Sequence, residues 1–452
     1  MTKSKPAESI LEDDTMTEKT DVIIVGTGAA GLFCALSFPE EKHVLMITKR
    51  KADESDSFLA QGGICMLRGE KDYANYFEDT MRAGHYVNDE KAVDLMIRSS
   101  NSIIRELIRL GVKFEKKGNG DLDFTKEGAH SQARILFHED ITGKEITSTL
   151  LARVRERENV TILEDTTMLD IIEKDNVCGG IVASAPDGGL YTIMADYVVL
   201  ACGGIGGLYK NSTNFPHLTG DALAIAMRHG VKIEHLNYVQ IHPTTLYSKD
   251  KGRRFLISES VRGEGALLYG KDMKRFTDEL QPRDVVTKAI EEQMAKDGTD
   301  HVWEDLRPIG EAEILKHFPN IYHRCLEEGY DVLKEPIPVV PAQHYHMGGI
   351  AVDLSSQTSM EGLFAVGEVS CNGVHGRNRL ASNSLLESLV FARKAADEIV
   401  FGSGKREVSF DKVDLKKYSD QLSLFDSYKD MVLEEIQWED ENERDQYEAA
   451  RR

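Results

Sequence analysis

An apolar strand that runs directly into a glycine-rich turn is the feature that most constrains this chain. Residues 21–25 read DVIIV, residues 26–31 read GTGAAG, and an alanine-rich helix is predicted over Ala29–Phe38. Glycines at this spacing allow a tight turn and close approach of the backbone to a pyrophosphate, while the helix directs its first N–H groups at the phosphates. The order of strand, turn and helix predicts dinucleotide binding, with a merely structural turn as the alternative.

The second predicted strand bears on which dinucleotide is bound. It covers His43–Thr48 and ends in Thr48-Lys49. An NAD-binding unit carries an acidic residue at this point, which accepts hydrogen bonds from the ribose hydroxyls. Thr48-Lys49 lacks this acidic residue, so FAD binding and an unusual ribose contact both stay open as interpretations.

Further elements follow the pattern of a doubly wound sheet with inserted strands. Helices are predicted over Tyr73–Gly84 and Glu90–Leu110, the second with Gly111 as its stop. Short strands over Gly179–Ala185 and Leu190–Met194 predict a β-meander. A buried strand then enters the glycines of Tyr197–Gly204, which indicates a second close approach of backbone to the nucleotide.

The later part of the chain interrupts this pattern and then resumes it. Residues from about Leu236 to Val340 lack βα alternation and concentrate His, Arg and Glu, which predicts a separate smaller domain. Gly362–Glu368 restores a short buried strand, and Ser384–Ile399 is predicted to be a helix whose N-terminus faces the cofactor. The charged last fifty residues, with a helical stretch at Tyr428–Trp438, predict surface structure or an interaction tail.

Composition excludes several classes of function. The chain has 452 residues, 41% apolar and 29% charged, and no apolar run approaches the roughly 18 residues that span a membrane. The net charge of −21 argues against nucleic acid or an anionic membrane as a partner. Six cysteines without a CxxC pair disfavour a metal site and a disulfide framework, and favour the cytoplasm. The polar, acidic start does not read as a signal peptide.

Five segments combine basic, acidic and hydroxyl side chains with glycine. They are His242-Pro243-Thr244-Thr245, Glu259 to Gly265 (ESVRGEG), Gln281-Pro282-Arg283-Asp284, His344 to Gly349 (HYHMGG) and His375 to Ser384 (HGRNRLASNS). Any one of them alone is more often structural. Together they predict a pocket for a dianion, because arginine binds carboxylates through two parallel hydrogen bonds and His and Thr add directional donors.

These motifs, with SFLAQGGI at residues 57–64 and EGAHSQARILFHEDITGKEI at residues 127–146, resemble the L-aspartate oxidase family. That family lies in the superfamily of succinate dehydrogenase and fumarate reductase flavoproteins, and the resemblance runs from about Asp21 to Phe401. It implies an α/β fold with a Rossmann-like FAD-binding domain, an inserted α+β capping domain and a short helical C-terminal tail. The implied boundaries are a disordered leader at 1–20, the FAD-binding domain at 21–235 and 346–402, the capping domain at 236–345 and the tail at 403–452.

The resemblance assigns roles at the substrate. His242, Thr244, His344 and Arg379 would hold two carboxylates. Arg283 would transfer a proton, with Glu259 and Arg262 as its relay towards solvent, although it could instead only clamp a carboxylate. Glu127 would bind the ammonium of aspartate, since dicarboxylate dehydrogenases carry an uncharged residue such as Gln there; the alternative is a solvated loop glutamate.

The resemblance also assigns the cofactor residues. FAD would be held without a covalent bond, because the histidine that carries it in membrane-bound relatives is replaced here by Asp56. The implied contacts are Gly26, Gly28, Ala29, Ala30, Gly31, Thr48, Lys49, Ser57, Ala60, Gln61, Gly62, Gly63, Ala201, Gly203, Asp221, Glu368, Asn383, Ser384 and Leu385.

The implied activity is FAD-dependent oxidation of L-aspartate to iminoaspartate, the first step of NAD biosynthesis through quinolinate. Oxygen or fumarate would take the electrons, and quinolinate synthase would take the product. A soluble fumarate reductase and a noncatalytic FAD-binding subunit are the alternatives. The tail is shorter than the three-helix domain usual in the family, which affects the expected oligomeric state more than the chemistry.

Overall fold

The computed structural model describes residues 20–249 and 252–451, with side chains described up to residue 443. The predicted leader therefore lies outside the described residues, except for Thr20, which begins the first strand. The helices are α1 Ala29–Ser37, α2 Asp56–Leu59, α3 Glu70–Ala83, α4 Glu90–Leu110, α5 Thr142–Arg155, α6 Asp221–Arg228, α7 Glu259–Gly263, α8 Arg283–Asp297, α9 Glu311–His317, α10 Pro319–Glu327, α11 Asn383–Phe401 and α12 Gln421–Arg451. Short 3₁₀ turns occur at Gly206–Leu208, Arg307–Ile309, Gly367–Val369 and Leu415–Tyr418.

The strands form one large sheet and three smaller ones. They are β1 Thr20–Val25, β2 Val44–Ile47, β3 Ile64–Cys65, β4 Ile135–Leu136, β5 Val160–Leu163, β6 Thr167–Lys174, β7 Val177–Ser184, β8 Leu190–Leu200, β9 Ile233–Glu234, β10 Val239–Leu246, β11 Leu267–Tyr269, β12 Val302–Asp305, β13 Ile337–His346, β14 Gly349–Ala351, β15 Leu363–Ala365 and β16 Ser370–Cys371.

The seven-stranded sheet has the order β5-β2-β1-β8-β7-β6, and β15 also pairs with β8. β1 lies parallel to β2 and β8, whereas β7 lies antiparallel to β8 and β6. The Rossmann-like α/β class is thus confirmed, with the meander on one side of the sheet. The two strands predicted at Leu190–Met194 and Tyr197–Leu200 are one strand, because the first half of β8 pairs with β7 and its second half with β1.

Helix ends follow the local signals of the sequence. α4 covers the predicted Glu90–Leu110: the Asp89 side chain accepts hydrogen bonds from two N–H groups of its first turn, and Gly111 ends it with a φ of +110°. α3 begins at Glu70, three residues before the predicted start, because Gly69 rather than Tyr73 marks its beginning. α1 ends one residue before the prediction, and α11 extends beyond Ile399 to Phe401.

A four-stranded antiparallel sheet, in the order β10-β13-β12-β11, lies in the inserted part of the chain. Its apolar side chains and those of α8 to α10 form a core of their own, which includes Val286, Ile290, Phe318 and Ile337. The predicted α+β insert is confirmed. We call the chain from the start of β10 to the end of β13, residues 239–346, the capping unit.

The last helix is longer than the sequence suggested. α12 spans Gln421–Arg451 rather than Tyr428–Trp438. Tyr428 and Val432 are fully buried against the core of the large sheet, and the Tyr428 hydroxyl donates to the carbonyl of Leu169 at 2.8 Å. The predicted helical tail is confirmed: among its described side chains Tyr428 and Val432, four residues apart, pack on the sheet, and the others are exposed or partly exposed. No helix in the described ranges is long and apolar enough to cross a lipid bilayer.

Glu304 in β12 makes the stability of the capping unit depend on pH. The residue is fully buried, and neither carboxylate oxygen has a hydrogen-bond partner within the described residues. Burial raises the pKa of Glu304 to about 8, although Arg262 opposes this shift. Because the unfolded chain releases this proton at lower pH, the free energy of unfolding falls as pH rises from the ordinary glutamate range to about 8.

We therefore expect Glu304→Gln to stabilise the protein at alkaline pH. The gain should be on the order of 4 kcal/mol at about pH 9 and close to zero at about pH 4, because glutamine carries no charge in either state. Thermal unfolding at both pH values measures the difference. Glu292→Gln, at an exposed position of α8, is the matched control and should change neither value. An equal Tm shift for Glu304→Gln at both pH values would contradict the prediction.

Candidate active site

One continuous cavity lies where the parallel strands of the large sheet end. Its lining includes the residues that follow β1, β2, β8 and β15, and residues of the capping unit. The space inside this lining, counted with the open mouth, is about 1780 Å³. The lining runs from the glycine turn after β1 to His242 and His344, so a single cavity joins the predicted nucleotide end to the predicted substrate end.

The turn after β1 is shaped by close backbone contacts. A Cβ atom on Gly26 would lie 2.1 Å from the carbonyl oxygen of Ala201, and one on Gly31 would lie 2.1 Å from that of Gly26. Gly26 also has a φ of +115°. Only glycine fits at these two positions, so the turn brings the start of α1 against the ends of β1 and β8, as a pyrophosphate site requires.

Some predicted cofactor residues contact one another. The Lys49 ammonium donates to Asp221 at 2.5 Å and to the carbonyl of His217 at 3.1 Å. The Ala29 N–H donates to the Ser57 hydroxyl oxygen at 3.1 Å. Lys49, Asp221 and Ser57 all line the cavity, so these contacts fix its wall at the nucleotide end.

Most of the predicted cofactor residues line this cavity, and three do not. Those in its lining are Gly26, Gly28, Ala30, Thr48, Lys49, Ser57, Ala60, Gln61, Gly62, Gly63, Ala201, Gly203, Asp221, Glu368, Ser384 and Leu385. Ala29 and Gly31 lie behind the turn. Asn383 is fully buried, where it accepts from the Tyr76 hydroxyl and donates to Thr80, so its side chain supports the start of α11.

Arg283, the first residue of α8, is held from two sides. Its Nε donates to Glu259 at 2.5 Å, and its Nη1 donates to the side-chain oxygen of Gln240 at 2.7 Å. Burial by itself raises the pKa of Glu259, but Arg283 and Arg262 outweigh it and hold the pKa below the usual value. Glu259 is therefore ionised, and its carboxylate fixes the Arg283 guanidinium at the cavity.

Two histidines and a second arginine line the same end of the cavity. The rings of His242 and His344 lie 5.1 Å apart, and the Arg379 guanidinium lies 4.4 Å above the Tyr345 ring. Burial and then Arg283 hold the pKa values of both histidines well below the usual value, and lower that of Arg379 to about 10. The two histidines are therefore neutral, and the buried guanidinium groups of Arg283 and Arg379, which repel one another, favour a ligand with negative charges.

Two predicted residues stand behind this wall. The Thr244 hydroxyl donates to the carbonyl of Ile257 at 3.2 Å, and Thr244 is fully buried outside the cavity lining. Arg262 also lies outside the lining, with Nη2 at 3.9 Å from Glu259 and Nη1 donating to the carbonyl of Glu279. Arg283, Glu259 and Arg262 thus form a continuous row of charges that leads away from the cavity.

Glu127 lies in the cavity wall and is 2% exposed, which rules out a solvated loop position. Its Oε1 accepts from the Ser260 hydroxyl at 2.7 Å and its Oε2 from the Ser382 hydroxyl at 2.6 Å. Burial and then the charge of Glu259 raise the pKa of Glu127, whereas both serines and Arg283 oppose the shift. A buried carboxylate of this kind suits a cation.

Sequence reasoning missed the residues that hold the charged groups in place. Gln240 donates to the Asn378 side chain at 2.7 Å and to the carbonyl of Arg379 at 2.9 Å, and so joins Arg283 to the loop that carries Arg379. The Thr213 hydroxyl lies 2.7 Å from the Nδ1 atom of His344. Gln240 stands two residues before His242, and the alternation of a strand could have indicated it; Thr213 gave no signal.

Six buried polar atoms of the cavity lining have no hydrogen-bond partner among the residues that the structure describes. They belong to Ser55, Asp56, Gln61, Asn214, His242 and Arg379. Buried polar atoms are normally satisfied, and an unsatisfied one costs about 1–3 kcal/mol. Their distribution from the turn after β2 to the histidines fits a long polar ligand such as FAD and a small anion beside it.

Comparison with known proteins agrees with this geometry. Residues 21–385 match the FAD binding domain family. L-aspartate oxidase of Clostridium perfringens is 50% identical over 385 residues, which cover 85% of this chain and 87% of that protein. L-aspartate oxidase of Clostridium acetobutylicum is 46% identical over 427 residues, which cover 93% and 97%. The chain belongs to the L-aspartate oxidase family.

The family lies in the superfamily of succinate dehydrogenase and fumarate reductase flavoproteins, and a solved structure supports this placement. A variant of E. coli quinol fumarate reductase superimposes with a TM-score of 0.80 at 30% identity, covering 91% of this chain and 74% of that chain. FAD as the cofactor follows from the matched FAD binding domain. In this member of the L-aspartate oxidase family, Asp56 accepts from the N–H of Phe215 at 2.9 Å, and burial raises its pKa to about 7.

Proposed function

We propose that this protein oxidises L-aspartate to iminoaspartate with FAD as its cofactor. The observation that carries the proposal is the presence of opposite charges in one cavity: the Glu127 carboxylate belongs to the same lining as Arg283, Arg379 and two histidines. L-aspartate has two carboxylates and one ammonium, so it matches this arrangement. Succinate and fumarate lack the ammonium and would offer Glu127 no cation.

We propose that His242, His344 and Arg379 bind the two carboxylates and so orient the Cα–H bond of the substrate. Arginine forms paired, charge-assisted hydrogen bonds with carboxylates, and neutral histidines donate one directional bond each. FAD, when bound, supplies the acceptor for the two electrons that leave with this hydrogen. Thr244 holds the backbone behind His242, since its carbonyl lies 3.0 Å from Nδ1 of that ring.

Two roles in the reaction remain: binding of the substrate amine and transfer of a proton. We propose that Glu127 binds the substrate ammonium, and that Arg283 moves a proton between the substrate and Glu259, with Arg262 as the next group towards solvent. The contacts of Nε and Nη1 leave Nη2 of Arg283 for the substrate. In fumarate reduction the same guanidinium would donate the proton, and Glu259 would return one to it after accepting a proton from the solvent side of the row.

The remaining assignments follow from the chemistry. FAD would be held without a covalent bond, since Asp56 offers no nucleophilic nitrogen to it. Oxygen or fumarate would take the electrons. Iminoaspartate hydrolyses in water, so an enzyme such as quinolinate synthase would have to take it up directly. All six cysteines are free thiols, which suits the reducing cytoplasm that we propose as the compartment.

The test is one anaerobic spectrum. The purified protein with FAD bound should lose its visible flavin absorbance when L-aspartate is added without oxygen, and regain it when fumarate is added. Succinate at the same concentration is the control and should bleach the flavin far less. An enzyme that binds FAD but keeps its full absorbance with L-aspartate would refute the proposal and favour a noncatalytic FAD-binding subunit. Bleaching by succinate alone would favour a dicarboxylate dehydrogenase.

A further inference from the structure

The loop that carries Glu127 is the surface on which α7 of the capping unit lies. A Cβ atom on Gly263 would lie 2.5 Å from the carbonyl oxygen of Lys126, and one on Gly128 would lie 2.4 Å from Oε1 of Glu259. The N–H of Ala129 donates to the carbonyl of Leu280, which also belongs to the capping unit. The capping unit therefore contacts the loop through backbone on both sides of Glu127.

The Glu127 carboxylate itself joins the two parts of the chain. Ser260 belongs to α7 of the capping unit and donates to Oε1, whereas Ser382 lies at the start of α11 and donates to Oε2. Ser382 also accepts the N–H of Gly63, in the loop that lines the cofactor cavity. Both serines are buried, at 6% and 7% exposed, so neither hydrogen bond competes with bulk water.

The groups around Glu127 explain why the hydroxyls of Ser260 and Ser382 are important for keeping its carboxylate charged. Besides the two serines, the groups that act on Glu127 are Glu259 on α7 and Arg283 on α8, and Glu127 in turn acts on the Cys65 thiol of β3. Burial and Glu259 disfavour the charged carboxylate, and the hydroxyls are the neutral groups that favour it. Gly62 packs closely against the Glu127 carboxylate, since a Cβ atom on Gly62 would lie 2.5 Å from Oε1. The carboxylate therefore has little freedom to move.

We propose that Ser260 is a positioning residue for recognition of the substrate amine: its hydroxyl fixes the ionised Glu127 carboxylate from the capping unit, so that amine binding is complete only when α7 lies against the loop. This inference rests on the proposed oxidation of L-aspartate. It assigns specificity for an amino acid over a plain dicarboxylate to a contact between the two parts of the chain. Ser382 holds the other oxygen and belongs to the same arrangement.

Ser260→Ala in the FAD-bound enzyme tests the inference. Loss of a hydrogen bond to a charged group should raise KM for L-aspartate about tenfold near neutral pH, with a smaller change in kcat. The acid limb of the pH profile of kcat/KM should move to higher pH, because the remaining contacts hold the Glu127 proton more strongly. Ser260→Thr keeps the hydroxyl and should behave as the unchanged enzyme.

A double-mutant cycle separates a positioning role from a structural one. In a Glu127→Gln background, Ser260→Ala should change kcat/KM for L-aspartate by less than about twofold, because the carboxylate through which it acts is gone. A tenfold loss that persists in that background, or an acid limb unchanged in Ser260→Ala, would overturn the inference. Failure of the unchanged, FAD-bound enzyme to oxidise L-aspartate would instead overturn the proposed function.

Discussion

Arg283→Leu is expected to lower kcat for fumarate reduction by at least about 1,000-fold, since proton transfer and charge stabilisation at one residue each contribute at that scale. Leucine removes both the proton donor and the positive charge that acts on the neighbouring histidines. Because Arg283 belongs to the capping unit and FAD would be held mainly by the large sheet, the variant should keep its flavin absorbance. Turnover with a chemical electron donor and fumarate measures the effect.

Lys288→Leu is the matched control for this experiment. Lys288 lies on the same helix, α8, and its side chain is 77% exposed, so the change removes one positive charge without touching the cavity. We expect its kcat to stay within about twofold of the unchanged enzyme, as for other exposed positions. Full fumarate turnover by Arg283→Leu would exclude Arg283 from the proton path and leave it as a carboxylate clamp at most.

Glu127→Gln is expected to lower kcat/KM for L-aspartate about 10- to 150-fold, the value of a charge-assisted contact. Glutamine keeps the shape of the side chain and an oxygen that can accept from Ser260, but it cannot balance an ammonium. Fumarate has no amine, so its reduction should be largely spared. Kinetics with both substrates on one preparation give the ratio directly.

The ratio of the two activities decides the role of Glu127. A selective loss with L-aspartate would support amine recognition. Equal losses with both substrates would indicate that the carboxylate acts on the shape of the site or on Arg283, and would contradict the assigned role. Flavin absorbance of the variant serves as the control for an intact cofactor site.

Elements with strong local signals could be predicted from the sequence. α4 begins and ends where Asp89 and Gly111 indicate, because helix caps depend on residues within one turn. The packing of α12 could not be predicted in this way, since the burial of Tyr428 and Val432 depends on a sheet formed far earlier in the chain. The continuity of β8 likewise depends on two different partner strands, which no local pattern encodes.

In the candidate site, too, some residues could be predicted from the sequence and others could not. The charged segments identified Arg283 and Glu259 as residues of interest, and the resemblance to the L-aspartate oxidase family identified Glu127. They did not indicate Gln240 or Ser260, which touch these charges across the fold. Uncharged polar residues are common everywhere, so only their position in space distinguishes them. Asn383 illustrates the converse, since it lies within a motif but its side chain bonds away from the cavity.

The sequence by itself determined the nucleotide-binding turn and the family of flavoproteins to which the chain belongs, because a GTGAAG turn between strand and helix follows from local backbone geometry. Only the tertiary structure decided that Glu127 is buried between Ser260 and Ser382, and that Thr244 and Arg262 lie behind the cavity wall. These residues lie up to 255 positions apart in the chain. Their electrostatic interactions arise only when folding removes water from between them.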